Sequence, residues 1–186
     1  VRVYFLQERL KKLATVRSTV NRVHVVGAGV MGGDIAAWCA LKGLEVTLQD
    51  REMRFIEPAL VRAAKLFDRR LRKPAAIDAA GARLRADPEG AGAATADLVI
   101  EAVFEDLKVK RAVYERLEGN LRPGVVIATN TSSIPLEELA GCLQEPGRLI
   151  GMHFFNPVSK LPLVEIIAAT GSRTDALSTG AAFARR

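Results

Sequence analysis

The sequence predicts an α/β fold in which helices cover both faces of a doubly wound, mainly parallel sheet. Two observations carry this prediction. Short runs of consecutive aliphatic residues alternate along the chain with longer segments of helical periodicity. Strands buried on both faces and joined by helices form parallel sheets. In addition, hydrophobic residues make up 49% of the 186 residues, which suits one domain with a sizeable core.

Six short aliphatic or β-branched runs predict the strands. In chain order they lie at residues 22–26, 44–50, 96–103, 124–130, 148–154 and 163–167. The first ends in glycines, the second alternates between apolar and polar residues, and the third is a buried run. No internal repeat interrupts this order, so one sheet accounts for all six strands.

Helical spacing of apolar residues predicts the remaining elements. They cover residues 3–13, 30–42, 51–72, 105–120 and 135–143. Gly43 suits the C-cap of the second helix, Pro74 stops the third, and Pro135 lies near the first turn of the last. Residues 74–96, rich in Ala, Gly, Asp and Pro, receive no element, and the chain stops inside a further helical pattern.

Composition excludes several classes of protein. No apolar run approaches the roughly 20 residues of a membrane helix, and residues 1–22 lack the pattern of a signal peptide. Cys39 and Cys142 are too few and too far apart for a disulfide framework, so a cytoplasmic location is expected, with an organellar matrix left open. No metal site is expected.

Positive charge is concentrated in one segment. Residues 51–85 hold ten basic and four acidic residues, a net charge of +6 that equals the net charge of the whole chain. Such a segment suits a polyanionic partner or a solvated helix face. Nucleic acid is not the expected partner, because no aromatic residues for base stacking alternate with the charges.

A glycine loop follows the first predicted strand and opens the next helix. Gly27, Gly29 and Gly32 form G-x-G-x-x-G in "VHVVGAGVMGGDIAAW", with Val30 and Met31 between the last two glycines. The three glycines permit a tight turn, close approach of a pyrophosphate and packing of helix on strand, and the helix N–H groups face the anion. We therefore predict a dinucleotide site of the Rossmann type.

Asp50 ends the second predicted strand, about twenty residues beyond the glycine loop. A carboxylate there accepts hydrogen bonds from a ribose 2′-hydroxyl and repels a 2′-phosphate, which favours NAD over NADP. Arg51 is expected at the same site and slightly weakens this selection. Asp50 could equally be the N-cap of the following helix.

Four further stretches follow the glycine loop in order: "DLVIEAVFEDLKVK", "ATNTSS", "HFFNPV" and "PLVEII". Together with that loop they resemble the NAD-binding domain of the L-3-hydroxyacyl-CoA dehydrogenase family, over residues 21–186. Residues 1–20 resemble the linker helix that joins a hydratase domain to the dehydrogenase in multifunctional β-oxidation proteins. The resemblance implies a longer parent chain, with an enoyl-CoA hydratase domain before this segment and a helical dimerisation and substrate domain after it.

The resemblance implies a role for each matched residue. His153 matches the catalytic histidine, Glu165 the carboxylate that orients it, and Ser132 a residue that contacts substrate and cofactor. Asn130 matches a position near the nicotinamide ribose, and Glu105 and Lys110 match positions that line the cofactor. The implied reaction is the oxidation of 3-hydroxyacyl-CoA to 3-ketoacyl-CoA with NAD, and the basic segment would hold coenzyme A.

The chemistry supports these roles independently. Oxidation of a secondary alcohol requires removal of the hydroxyl proton, for which histidine has a suitable pKa, and a carboxylate on the other ring nitrogen fixes the tautomer. The family's catalytic asparagine lies in the C-terminal domain, so this segment alone is expected to show little turnover. Two alternatives remain: a 3-hydroxy-acid dehydrogenase with a non-CoA substrate, and a nucleotide-binding module without catalysis.

Several residues have a structural interpretation beside the functional one. His24, among aliphatic residues of the first strand, is expected to be structural. Asp34, in the first turn of the second helix, is expected to face away from the pyrophosphate. Glu105 could be no more than a helix N-terminal charge, and Lys110 a solvated partner. Met31, Trp38 and Cys39 are expected in the core.

Overall fold

A seven-stranded sheet forms the centre of the computed structural model, which describes residues 18–186. The strands are β1 Arg22–Val26, β2 Glu45–Gln49, β3 Leu84–Ala86, β4 Leu98–Glu101, β5 Val126–Thr129, β6 Leu149–Phe154 and β7 Val164–Ala168. Their order across the sheet is β3-β2-β1-β4-β5-β6-β7. Every neighbouring pair is parallel except β6 and β7, which are antiparallel. The predicted doubly wound, mainly parallel sheet is confirmed.

Within residues 18–186, six α-helices connect and cover the strands. They are α1 Val30–Leu41, α2 Met53–Arg70, α3 Pro74–Arg83, α4 Leu107–Glu118, α5 Leu136–Ala140 and α6 Thr174–Ala184. Short 3₁₀ helices occupy Ala91–Thr95 and Pro146–Arg148. The helix predicted at residues 3–13 lies outside the described residues. Within the described part, each helix predicted between two strands is present, with ends that differ by a few residues.

The largest departure from the prediction lies between residues 74 and 86. Pro74 not only stops α2 but starts a new helix, α3, where its fixed φ suits the first helical turn. The three-residue strand β3 follows at once and pairs parallel with β2 at the edge of the sheet. Its few residues leave no periodicity to recognise, which is why the sequence did not reveal it.

The core is divided by the sheet into two clusters. The larger packs α1, α2 and α6 against one side and includes Ile35, Leu48, Ile56, Ile100 and Phe183. The smaller packs α4 and α5 against the other side and includes Tyr114, Leu117, Ile127, Leu139 and Leu149. Cys39 lies in the larger cluster, whereas Met31 and Trp38, also predicted as core, are only partly buried against it. No helix within residues 18–186 has the length and apolar character to cross a membrane.

His24 has a structural place in β1. The residue is fully buried, with Nδ1 2.8 Å from the Thr47 hydroxyl and Nε2 2.9 Å from Gln49 Oε1. A neutral ring satisfies both contacts when Nε2–H donates to Gln49 and Nδ1 accepts from Thr47. Burial lowers the pKa of His24, although the Gln49 hydrogen bond and the Asp87 carboxylate oppose that shift.

This lowered pKa predicts a loss of stability in mild acid. Below the ordinary pKa of about 6.5 the unfolded chain binds a proton at His24 that the folded chain resists, so the free energy of unfolding falls as pH drops. Urea unfolding of the wild type and of His24→Gln should therefore show a stability difference that shrinks from about pH 7.5 to about pH 5.5. A difference that stays constant over this range would show that His24 does not titrate between the two states.

Candidate functional site

The carboxyl ends of β1, β2, β4, β5 and β6 meet at one edge of the sheet because these strands are parallel. Successive connections turn to opposite sides at the neighbouring pair β1 and β4. Ligands of open α/β sheets bind outside the carboxyl ends of the strands at such a switch point. All residues predicted for the cofactor and for catalysis lie at or next to this edge, so the fold brings them together.

The glycine loop has the shape that a dinucleotide requires. Gly27 has a φ of +102°, and a Cβ there would lie 2.5 Å from the carbonyl oxygen of Ala102. A Cβ on Gly32 would lie 1.8 Å from the carbonyl oxygen of Gly27. Gly29 differs, because a Cβ there would meet no atom within 4 Å. Packing requires the first and third glycines, while the second faces open space at the start of α1, where a pyrophosphate fits.

Asp50 ties the end of β2 to this loop. Its Oδ2 accepts a hydrogen bond of 2.8 Å from Ala28 N, and its Oδ1 accepts one of 2.7 Å from Arg51 N. The alternative in which Asp50 caps α2 is wrong, because Glu52 occupies the N-cap position. The Arg51 guanidinium lies 5.0 Å from the centre of the Phe55 ring. A fixed carboxylate beside the glycine loop fits the ribose of NAD and opposes a 2′-phosphate.

Asp34 lies just beyond the first turn of α1 and faces an arginine of α2. Its Oδ1 lies 3.6 Å from Arg62 Nε, and Arg62 also donates a hydrogen bond of 2.9 Å to the carbonyl oxygen of Gly29. Arg62 therefore bridges α2 and the glycine loop. The Asp34 carboxylate is directed to α2, so its negative charge is paired.

His153 lies between a carboxylate and a hydroxyl group. In the antiparallel pair β6–β7 it stands directly opposite Glu165. Its Nδ1 lies 3.2 Å from Glu165 Oε2, and its Nε2 lies 3.2 Å from Ser132 Oγ in the loop after β5. The His153 side chain is 23% exposed, so the ring is held and yet accessible. The edge of the Phe155 ring packs beside it, with ring centres 4.7 Å apart.

Asn130 connects the strands that carry Ser132 and His153. Its side-chain Oδ1 accepts a hydrogen bond of 2.9 Å from Phe154 N, which joins the end of β5 to the end of β6. Asn156, the asparagine after the histidine, lies exposed in the following turn, where the peptide bond to Pro157 is cis. Asn130 thus fixes the backbone that follows His153.

Glu105 and Lys110 belong to a polar network that is buried at Lys110 and partly exposed at Glu105. Asp106 caps α4 with its own side chain. Glu105 is more than a charge at the start of this helix, because its Oε1 accepts from the Thr131 hydroxyl and from Ser132 N and Ser133 N, at 2.9 and 3.0 Å from the two nitrogens. Lys110 is not solvated, since it is 1% exposed, and its Nζ lies 3.3 Å from Glu105 Oε2.

The ionised form of the Glu105 carboxyl group is strongly favoured over the protonated form. Partial burial alone would raise its pKa, but the hydrogen bonds from Thr131, Ser133 and Ser132 and the positive charge of Lys110 outweigh it and bring the pKa to about 2. The carboxylate is therefore ionised at every pH at which the domain would work.

Glu101, Tyr114 and Thr129 belong to the site but were not predicted from the sequence. Glu101 ends β4 and is fully buried, with Lys110 Nζ 2.7 Å from its Oε1 and the hydroxyls of Tyr114 and Thr129 donating to its Oε2. One signal was present: a glutamate in the aliphatic run "DLVIEAV" is rarely buried without a partner. Which cation would pair with it was not readable from local sequence.

A cavity of about 390 Å³ opens beside α1 and α2. It is lined by charged and small side chains, among them Asp34, Arg62, Lys65, Asp68, Arg69 and Ser159. Part of the basic segment identified in the sequence therefore borders a cavity next to the glycine loop. Residues 18–186 contain no group of three or more His, Cys, Asp or Glu side chains that could hold a metal ion.

The match to a family model agrees with this geometry. Residues 22–186 match the model described as "3-hydroxyacyl-CoA dehydrogenase, NAD binding domain".

Solved structures extend the similarity to the three-dimensional fold. FadB2 of M. tuberculosis is 35% identical, with a TM-score of 0.85 over 89% of this chain and 60% of its own. A (S)-3-hydroxybutyryl-CoA dehydrogenase from Ralstonia eutropha is 32% identical, with a TM-score of 0.86 over 90% of this chain and 60% of its own. The dehydrogenase part of multifunctional enzyme 1 from C. elegans is 32% identical, with a TM-score of 0.80 over 91% of this chain and 40% of its own. The chain thus spans 60% or less of the length of these proteins.

Substitution of Gly29 separates cofactor binding from folding. A methyl group there meets no protein atom, so Gly29→Ala should unfold at a denaturant concentration close to that of the wild type, while the methyl enters the space assigned to the pyrophosphate. NADH affinity, followed by fluorescence titration, should fall by about tenfold or more, the effect of roughly 1.4 kcal/mol of lost binding.

Gly81→Ala is the matched control for this substitution. Gly81 lies in α3, away from the glycine loop, and a Cβ there also meets no atom within 4 Å. It should leave NADH affinity unchanged. If Gly29→Ala and the wild type bind NADH with equal affinity, the prediction that the pyrophosphate binds at this loop is wrong.

Proposed function

The chain belongs to the 3-hydroxyacyl-CoA dehydrogenase family, of which it is the NAD-binding domain, and we propose that it serves the oxidation of (3S)-3-hydroxyacyl-CoA to 3-ketoacyl-CoA. The observation that supports this proposal is the position of His153 between Ser132 and Glu165, 3.2 Å from each. NAD, when bound, accepts the hydride that leaves carbon 3. The residues of the chain have to take the hydroxyl proton.

His153 is the general base of this proposal. When Nδ1–H donates to Glu165, the lone pair of Nε2 faces the side on which Ser132 lies, and there it takes the proton of the substrate hydroxyl as the C–H bond breaks. The Glu165 carboxylate fixes this tautomer and stabilises the imidazolium that forms, as the acidic member of a catalytic triad does.

Ser132 positions the reacting oxygen. Its hydroxyl lies within hydrogen-bond distance of His153 Nε2, so an oxygen placed beside both groups contacts both. In the direction of reduction, the imidazolium and the Ser132 hydroxyl both donate to the 3-keto oxygen, and the imidazolium gives it a proton as the hydride arrives at carbon 3. The same two groups therefore serve both directions.

The basic side of the domain favours an acyl-CoA over a free 3-hydroxy acid. Arg62, Lys65 and Arg69 border the cavity beside α1 and α2, and coenzyme A carries phosphates that such side chains hold by charge-assisted hydrogen bonds. A 3-hydroxy acid without coenzyme A has no comparable charge for this side of the domain to contact. A dehydrogenase acting on a non-CoA substrate is thus the weaker candidate.

The activity is proposed for the whole protein rather than for these 186 residues alone. In this proposal a helical C-terminal domain completes the acyl-CoA cleft, and an enoyl-CoA hydratase domain shares the chain, in a fatty-acid β-oxidation protein of the cytoplasm or an organellar matrix. The similarity to the dehydrogenase part of multifunctional enzyme 1 from C. elegans supports such a context. The isolated chain is expected to bind NAD with little or no turnover.

Substitution of His153 in the whole protein should abolish proton transfer. His153→Ala should lower kcat for NADH-linked reduction of a 3-ketoacyl-CoA by about 10²–10⁴-fold, the usual contribution of a general acid or base. Glu165→Ala should lower kcat as well, whereas Glu165→Gln keeps an oxygen that accepts from Nδ1–H and should retain more activity. Affinity for NADH should change little in all three variants.

The control is Glu138→Ala, which removes an exposed carboxylate on α5 and should leave kcat unchanged. Wild-type rates in both His153→Ala and Glu165→Ala would overturn the catalytic assignment.

A further inference from the structure

The carboxylate of Glu105 is surrounded by hydrogen-bond donors on both of its oxygens. Oε1 accepts from the Thr131 hydroxyl, from Ser132 N at 2.9 Å, from Ser133 N at 3.0 Å and from the Ser133 hydroxyl at 3.1 Å. Oε2 lies 3.3 Å from the ammonium of Lys110. One side chain from the loop after β4 thus holds three consecutive residues of the loop after β5.

Lys110 is held in turn by Glu101. The two side chains are 1% and 0% exposed, and Lys110 Nζ lies 2.7 Å from Glu101 Oε1. Val103 N donates to the same oxygen at 2.8 Å, while Tyr114 and Thr129 donate to Oε2 at 2.9 and 2.7 Å. Because β4, β5 and α4 all contribute to this cluster, the ammonium has one fixed place, and it is directed at Glu105.

The turn that Glu105 holds carries the hydroxyl that contacts the histidine. Ser132 N donates to Glu105, and the hydroxyl of the same residue lies 3.2 Å from His153 Nε2. Ser132 is exposed, so core packing does not fix its side chain. Hydrogen bonds of its turn set the place from which its hydroxyl reaches His153, and the bond of Ser132 N to Glu105 is the one that Ser132 itself makes through its backbone.

We propose that Glu105 is a positioning residue: its carboxylate, aimed by the buried Glu101–Lys110 pair, holds the 131–133 turn so that Ser132 stays against His153. This inference rests on the function proposed above and adds to it, since the resemblance implies only that Glu105 and Lys110 line the cofactor. Glu105 acts on the reacting oxygen through Ser132. Glu101 acts less directly, because it holds the Lys110 ammonium that faces Glu105.

The arrangement requires a carboxylate and not merely a polar group. A glutamine at 105 has one accepting oxygen and one NH₂ group, and both positions face donors. In either orientation its NH₂ group would oppose the Lys110 ammonium or the donors of the turn. Even with its oxygen on the turn, a neutral amide accepts hydrogen bonds more weakly than a carboxylate, so Glu105→Gln should loosen the turn although it is nearly identical in shape.

The first test uses the 186-residue chain without cofactor, so that neither NAD nor substrate contributes to the result. Amide hydrogen exchange of Ser132 and Ser133, measured by NMR, should be about tenfold faster or more in Glu105→Gln, the effect of losing a charge-assisted hydrogen bond. Glu115→Gln is the control, because it makes the same change at an exposed position of α4 and should leave both rates as in the wild type.

A second variant keeps the proposal testable if Glu105→Gln fails to fold. Ser133→Ala removes one hydroxyl donor to Glu105 at an exposed position and leaves the carboxylate in place, so it should raise the same exchange rates by a smaller factor. Exchange rates of Ser132 and Ser133 that stay at the wild-type value in both variants would overturn the proposal. The proposal would also be overturned if Glu105→Gln weakened NADH binding but left the amides of Ser132 and Ser133 protected from exchange. Glu105 would then only contact the cofactor.

Kinetics of the whole protein separate this inference from the proposed function. Glu105→Gln should lower kcat for 3-ketoacyl-CoA reduction by about tenfold or more with little change in the KM for NADH. A wild-type protein that does not turn over 3-ketoacyl-CoA would refute the proposed function, while faster exchange of Ser132 and Ser133 in the variant would still support the positioning role. A kcat of Glu105→Gln equal to that of the wild type would overturn that role.

Discussion

Parallel pairing of β1, β2, β4, β5 and β6 is the constraint on which every part of the candidate site depends, because it collects the carboxyl ends of five strands at one edge of the sheet. Gly27 and Ala102, which are 75 positions apart along the chain, become neighbours there. The glycine loop follows β1, Asp50 follows β2, Glu105 follows β4, Ser132 follows β5, and His153 lies near the end of β6. The ladder hydrogen bonds fix the order of these groups along the edge, so the loops need to supply only their local geometry.

The single antiparallel strand extends the same logic to Glu165. A seventh parallel strand would carry its first residues to the far end of the sheet, away from the site. Because β7 runs in the opposite direction, it begins at the edge where β6 ends, and Glu165 comes to stand directly opposite His153. Cross-strand neighbours have side chains close together on one face. A carboxylate twelve residues along the chain thus reaches the Nδ1 atom of the ring without a long flexible connection.

Local pattern was sufficient for those parts of the structure that short segments determine. The glycine loop, the helix after it and the buried strands could be predicted from residues within about ten positions of one another. The element pair α3–β3 could not, because β3 has three residues and exists only through its pairing with β2. The polar network was also out of reach: Lys110 pairs with Glu101 nine residues away, and Glu105 with Thr131, Ser132 and Ser133 in another loop, and such pairs depend on how elements pack rather than on spacing. The juxtaposition of His153 and Ser132 was expected only through the resemblance to a family.

The buried pair Glu101–Lys110 is better explained by position than by stability. Replacing a buried ion pair by well-packed apolar residues is often neutral or stabilising, whereas removal of one partner costs about 3–5 kcal/mol. An apolar pair at 101 and 110 would contain no buried charge, but it would leave Val103 N and the hydroxyls of Tyr114 and Thr129 without their acceptor. It would also leave Glu105, which holds the turn that carries Ser132, without a cation. The pair lies at the carboxyl end of β4, where Glu101 holds the Lys110 ammonium 3.3 Å from Glu105, so that its positive charge stabilises the carboxylate that binds the turn.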